Sequence, residues 1–231
     1  MKRILFVVED ITFSGGLENV VLTLANYFVD NNIYHVDILS LKEKNQRFYE
    51  CHEAVTLYSL DIEHYKHKSG IFSFRNIYTY TDKNKNKFNA FFDEYSCDVA
   101  VATTYSIASL LNSTNANMAK VVWEHTHFYG YCDPKQYYAG FKGLIKEIVN
   151  KLITHPQRAK LYNKLDAVVV LTEKDKILWD KLHSNVIAIN NPLTLKPTLA
   201  ERSETSKTTR VVSVGRLTEQ KGFEYLIEAI Y

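Results

Sequence analysis

Apolar residues in this chain gather into short unbroken runs, and stretches of helical spacing separate them. The first run, Ile4 to Val8, is bounded by Arg3 and by Glu9-Asp10. A strand that is apolar on both of its faces fits a sheet covered on both sides, as parallel sheets are. Behind it comes DITFSGGLENVVLTLANYFVDNN, where Val20, Val21, Leu24 and Phe28 recur at helical spacing. That spacing predicts a helix from Leu17 to about Asp30, opening just after Gly15-Gly16. HVDILSL, His35 to Leu41, reads as the next strand. The unit is strand, helix, strand, with a glycine turn at its first crossover.

The alternation continues. AVTLYSLDI holds a short strand, and HYKHKSGIFSFRNIYTYTDKNKNKFNAFFDEY reads as a surface loop feeding a helix with a basic outer face. Cys97 to Thr104 is a strand, followed by a helix near Ser106 to Leu111. AKVVWEHTHF is a strand with a polar exit, and Phe141 to Leu165 carries a helical pattern broken at HPQR by Pro156. DAVVVLT, EKDKILWDKL and NVIAINNPL then read as strand, helix and strand. Together they predict an α/β fold: an open, mostly parallel, Rossmann-like sheet with helices on both faces.

From Thr194 to Thr209 the composition turns to Thr, Ser, Lys and Glu with Pro197, which is linker chemistry. RVVSVG then opens a strand that no earlier element anticipates, and FEYLIEAI starts a helix without a polar C-cap. The expected division is a domain over 1–193, a linker over 194–209, and the beginning of a second domain over 210–231. One strand and one helix cannot bury their own apolar faces, so the expectation is the N-terminal part of a longer protein.

Composition sharpens this only a little. Of 231 residues, 46% are hydrophobic and 23% charged, which gives a core and argues against a membrane bundle or a disordered chain. The net charge of +2 gives no footprint for nucleic acid. Sixteen Tyr and 12 Phe suit aromatic pockets and ordinary cores alike. Cys51, Cys97 and Cys132 show no metal or redox spacing, and the expectation is reduced cysteines in the cytoplasm.

Three stretches carry candidate chemistry. In SGGLENVV, Gly15 and Gly16 let backbone approach a ligand, and the helix start offers N–H groups to an anion. Glu18 lies in the first turn, where the helix dipole favours a carboxylate; a plain tight turn explains the glycines equally well. In SVGRLTEQKGF, Arg216 and Lys221 place two cations after a strand, at the sheet edge where such folds bind ligands. Arg offers a planar fork to phosphate and Lys a compact charge, although two solvated surface cations would look the same. In VVWEHTHF, His125 follows a strand and faces the same edge, with Glu124 and His127 as candidate helpers. A backbone-bonded strand-end histidine and a His-x-His zinc pair are the competing readings, the second lacking further ligands at suitable spacing. Separately, Ile145, Ile148, Val149 and Leu152 form a stripe amid Lys142, Lys146, Lys151, Arg158, Lys160 and Lys164. Such a helix can rest on an anionic membrane or turn its stripe to the core.

FSGGLENVV near the start, with VVSVGRLTEQKGFEYLIEAI after a linker, resembles the family-4 retaining glycosyltransferases of the GT-B fold. VVVLTEKDK and VIAINNPL resemble that family's late N-terminal strands and its crossover into the second domain. The resemblance implies a nucleotide-sugar donor, UDP-sugar by default, held in a cleft between two Rossmann-like domains. Arg216 and Lys221 match the pair that neutralises the diphosphate leaving group, so that no metal or other cofactor is implied. Gly16, with Gly15 beside it, matches the glycine whose loop approaches the donor, and His125 matches the histidine that contacts sugar or acceptor. The implied acceptor is a glycan or a lipid-linked sugar, in cell-surface polysaccharide or glycolipid synthesis, with possible peripheral contact at the cytoplasmic membrane face. The family's paired glutamates of the donor domain have no counterpart here, so this chain alone is expected to be inactive. A non-catalytic sugar- or nucleotide-binding module and a GT-B nucleotide-sugar epimerase are the alternatives.

Overall fold

The computed structural model describes residues 1–66, 73–128, 148, 152, 155–195, 211–215 and 221–230. Its strands are β1 (Arg3–Val8), β2 (His35–Ser40), β3 (Thr56–Ser59), β4 (Val99–Ala102), β5 (Ala119–Glu124), β6 (Ala167–Val170) and β7 (Val186–Ala188). Its helices are α1 (Gly16–Asp30), α2 (Ser73–Glu94), α3 (Tyr105–Leu111), α4 (His155–Tyr162), α5 (Glu173–Trp179) and α6 (Phe223–Ile230). The strands form one seven-stranded sheet in the order β3-β2-β1-β4-β5-β6-β7. Every neighbouring pair is parallel. This is the α/β, Rossmann-like fold that the apolar runs predict.

The doubly apolar runs are explained by two cores, one on each face. Along β1, Leu5 and Val7 join Ile107, Leu110, Tyr162 and Trp179 on the side of α3, α4 and α5. Phe6 and Val8 join Val20, Val21 and Ala25 of α1 on the other side. Alternate residues of a strand feed opposite faces, so both sets must be apolar.

The helices begin where the strands end. Thr104 caps α3 through the Ile107 N–H, and Thr172 caps α5 through the Asp175 N–H at 3.1 Å. α1 ends where Asn32 takes a left-handed conformation, with φ of 52°. The chain winds from β1 to β2 and β3 on one side, then returns through α2 to β4 on the other. Strand order therefore reverses between β1 and β4, and the loops leaving those strands flank a crevice at the carboxyl edge.

Two stretches take a more particular form than their composition indicates. Pro156 stands in the first turn of α4, which starts at His155, so the interruption expected at HPQR falls at a helix start, where the missing proline N–H has no intrahelical partner to lose. Upstream of α4, only residues 148 and 152 of the basic segment are described, and both side chains are exposed. Over residues 211–215, the described part of RVVSVG, the backbone is not in a strand, and Val211, Val212 and Val214 are at 66%, 81% and 93% exposure. A strand needs a neighbour to pair its backbone, and among the described residues none pairs with 211–215. The expected linker falls mostly outside the described residues, as does Cys132. Cys51 and Cys97 are free thiols pushed upward by burial, Cys97 to about 12.

Candidate functional site

The loop after β1 is fixed by its own side chains. Asp10 and Thr12 are buried, and Asp10 Oδ1 accepts both the Thr12 N–H, at 2.9 Å, and the Thr12 hydroxyl. The Thr12 oxygen in turn accepts the Asn45 N–H at 3.2 Å, and the Ile11 N–H donates to Ser40 Oγ at 3.2 Å. These are the local bonds that let Asp and Thr replace regular structure in a loop. Glu9 reaches across the strand-order reversal and accepts the Ser106 hydroxyl at 3.0 Å.

The two glycines have different reasons. Gly15 is the N-cap of α1, and a Cβ there would stand 2.2 Å from Glu18 Oε2. The Glu18 carboxylate folds back over the helix start, held by backbone hydrogen bonds at Glu18 and Gly15. That is the return half of a capping box. Burial outweighs those bonds, and with like charge from Asp10 and Glu9 it pushes the Glu18 carboxyl above its usual range. At Gly16, by contrast, nothing lies within 4 Å of the Cβ position. The helix start expected to receive an anion is thus partly occupied by the chain's own carboxylate, and its open approach is at Gly16.

At the end of β5 the alternation of the strand separates the candidates. Trp123 is buried in the core on the α1 side, with its ring centroid 6.3 Å from Phe6 and 4.4 Å from His125. Burial pushes the His125 imidazole down to about 4, so it is neutral at physiological pH. His125 Nε2 and Trp123 Nε1 are both buried without a hydrogen-bond partner among the described residues. A neutral ring with an unpartnered nitrogen can bond a ligand hydroxyl, and it cannot neutralise a phosphate.

Glu124 turns to the opposite face. Its Oε2 accepts the Tyr162 hydroxyl at 2.7 Å, its Oε1 accepts the Thr126 N–H at 3.1 Å, and Arg158 Nη1 stands 3.9 Å away. Glu124 and Arg158 are 4% and 2% exposed. Arg158 also donates to the Phe128 carbonyl at 2.5 Å and lies 4.8 Å from the Trp179 ring. The carboxylate offered as a substrate contact is therefore engaged by protein groups. His127 is exposed, with Nε2 at 3.5 Å from Asp175 Oδ1. Asp175 is itself set by the Thr172 hydroxyl at 2.8 Å and the Phe128 N–H at 2.9 Å.

The structure thus brings Gly15, Gly16, His125 and His127 to the carboxyl edge of one sheet. Arg216 lies outside the described residues. Lys221 is exposed, and Gly222 takes a left-handed φ of 61° that turns the chain into α6. Among the described residues no hydrogen bond or ion pair joins Lys221 to the loops after β1 and β5. Among the described residues no three His, Cys, Asp or Glu side chains converge as metal ligands, and no helix is long and apolar enough to cross a membrane. Sequence reasoning passed over Trp123 and Asp175, and it counted Arg158 among the cations of the basic segment rather than as a partner of Glu124. Trp123 carried a usable signal, because a buried indole N–H ordinarily requires a partner.

The seven-stranded parallel sheet, with the candidate loops at its carboxyl edge, has an α/β, Rossmann-like fold. The chain is 28% identical over 232 residues to a protein of Haemophilus influenzae named as an uncharacterized glycosyltransferase, covering 99% of this chain and 57% of that one. It therefore spans little more than half the length of the curated relative it matches. Among solved structures it superposes on the lipopolysaccharide outer core galactosyltransferase WaaB in its apo form, with a TM-score of 0.56 at 12% identity, covering 89% of this chain and 50% of that one. It also superposes on TcCGT1 in complex with UDP, with a TM-score of 0.51 at 11% identity, covering 88% and 53%. At such identities the likeness is one of fold. No protein-family model matches the chain.

Proposed function

We propose that this chain is the acceptor-side domain, with the first elements of the donor-side domain, of a family-4 retaining glycosyltransferase. The reaction would move a hexose from a nucleotide sugar, UDP-sugar first, to a glycan or lipid-linked acceptor, at the cytoplasmic membrane face and without a metal. The observation that carries the reading is His125: a neutral imidazole with a buried, unpartnered Nε2 at the ligand-binding edge of a GT-B-type sheet. The named glycosyltransferase relative and the UDP held by one structural neighbour support it.

In this reading the acceptor hydroxyl attacks the anomeric carbon on the face that the nucleoside diphosphate leaves. The C1–O bond to phosphate breaks, and a phosphate oxygen takes the hydroxyl proton. Negative charge grows on the diphosphate as the bond breaks, so Arg216 and Lys221 would stabilise the transition state more than the ground state. His125 would bond a sugar hydroxyl, and Gly16 would let the α1 start come close to the donor. Transfer would need a complete donor-side domain, so the 231-residue chain by itself would not turn over. The test is transfer from UDP-glucose and UDP-galactose by the protein with that domain in place. Lys221→Ala is expected to lower kcat about 100-fold, the scale of losing one charge-stabilising group. His125→Ala should raise KM for sugar substrates. Unchanged kinetics in both variants would overturn the reading.

A further inference from the structure

We propose a second ligand site on the helical face of the sheet, one that takes a single anionic sugar unit carrying a phosphate or carboxylate. Between α2, α3 and α4 lies a cavity of about 200 Å³, lined by residues that include Tyr78, Thr81, Ser109, Asn112, Lys160 and Lys164. It does not belong to the carboxyl-edge loops. Ser109 and Asn112 stand toward the far end of α3 from the Thr104 cap, about 7.5 Å and about 12 Å along the axis at 1.5 Å per residue.

The lining has a definite chemistry. Two ammonium groups, Lys160 and Lys164, border it, and among the described residues no carboxylate lines it. The hydroxyls of Thr81 and Ser109 meet at 2.6 Å on its wall and leave lone pairs and one proton for a further partner. Asn112 donates its amide to the Leu161 carbonyl at 2.8 Å, while its Oδ1 is buried without a partner among the described residues. That oxygen accepts only, so it requires a donor, and a sugar hydroxyl is one. Tyr78 is 53% exposed at the rim and offers an aromatic face to a pyranose ring. Cations for an anion, acceptors for hydroxyls and an aromatic wall together describe an acidic sugar. The size decides how much of it: pockets for drug-sized ligands run to about 300–1,000 Å³, so this one holds one ring with its anionic group and excludes a nucleotide sugar.

The basic stripe of the sequence is thereby divided. Arg158 is a buried structural cation, whereas Lys160 and Lys164, on the same segment, face this cavity. The site does not depend on the glycosyltransferase reading, and its test measures binding rather than transfer.

The experiment is calorimetric titration of the 231-residue chain with glucose 6-phosphate, glucuronic acid, glucose and inorganic phosphate, at low and high salt. The expected result is saturable binding of both acidic sugars, at least tenfold tighter than glucose or phosphate and weakened by salt. Lys160→Ala/Lys164→Ala should weaken it at least tenfold without moving the unfolding midpoint, because both side chains are exposed. Tyr78→Ala, another exposed position, should weaken it severalfold. Equal binding of glucose and its phosphate, equal binding of inorganic phosphate, no binding, or indifference to the lysine pair would each overturn the proposal. So would lysine-dependent binding to phosphatidylglycerol vesicles with no saturable binding of the acidic sugars, which would make the same cations a lipid contact.

Discussion

His125 gives the most direct handle on a single residue. Its imidazole titrates near 4 in the folded chain against about 6.5 when exposed, and burial is the cause. Between those values the unfolded chain binds the proton and the folded one does not. Stability is therefore fully present above pH 6.5 and falls as pH drops toward 4, by up to roughly 3 kcal/mol. His125→Gln removes that group from the balance. Relative to the parent, the variant should gain stability by about that amount between pH 7 and pH 4, read from urea unfolding at both values. Parallel pH curves would show that the ring is not held neutral. Glu18 runs with the opposite sign. Its carboxyl is raised by burial, so its ionisation makes the fold less stable as pH rises above the ordinary carboxylate range. Glu18→Gln should thus become progressively more stable than the parent from pH 4 to pH 7, and a constant difference would contradict the burial argument.

Elements show why part of this design was legible in the sequence and part was not. The apolar runs at Ile4 to Val8 and in DAVVVLT are strands because both faces of each are covered, and no long-range knowledge is needed to see it. The same double coverage hides direction. VVWE does not say which face Trp123 or Glu124 takes, and the partner that settles Glu124, Tyr162, lies 38 residues away. Pro156 reads as a break in the helical pattern, and its place in the first turn of α4 shows where the pattern resumes. RVVSVG has a strand's composition, yet among the described residues its part at 211–215 has no neighbour to pair with. The glycine turn allows a test that separates structure from ligand approach. Gly16→Ala meets no atom within 4 Å and replaces a helical glycine, so stability should hold or rise by up to about 1 kcal/mol. Donor affinity should nevertheless fall if the ligand approaches there, and unchanged affinity would move the donor away from α1. Arg158→Ala should do the reverse. It strands buried Glu124 beside an empty space and should cost about 3–5 kcal/mol, measured by chemical unfolding.

On the scale of the whole molecule, the two cores and the sheet between them form one body, and the described part of 210–231 adds nothing to its burial. Residues 211–215 are all exposed, and α6 has no buried residue. Tyr225, Ile227 and Ile230 are 70%, 60% and 66% exposed on an eight-residue helix, which isolated in water would be marginal. The fold's stability should therefore be set by the sheet and α1 to α5 alone. Removing residues 211–231 tests this. If the sheet is self-sufficient, the thermal midpoint should stay within about 2 °C, since 1 kcal/mol moves a domain of this size by about 2–4 °C. The urea m-value should also be unchanged, because little surface buried on folding is lost. Removing those three exposed apolar side chains should at the same time reduce concentration-dependent association, measured by light scattering. A fall in midpoint beyond about 5 °C would mean that α6 packs on the sheet and that the carboxyl-edge site is built with it.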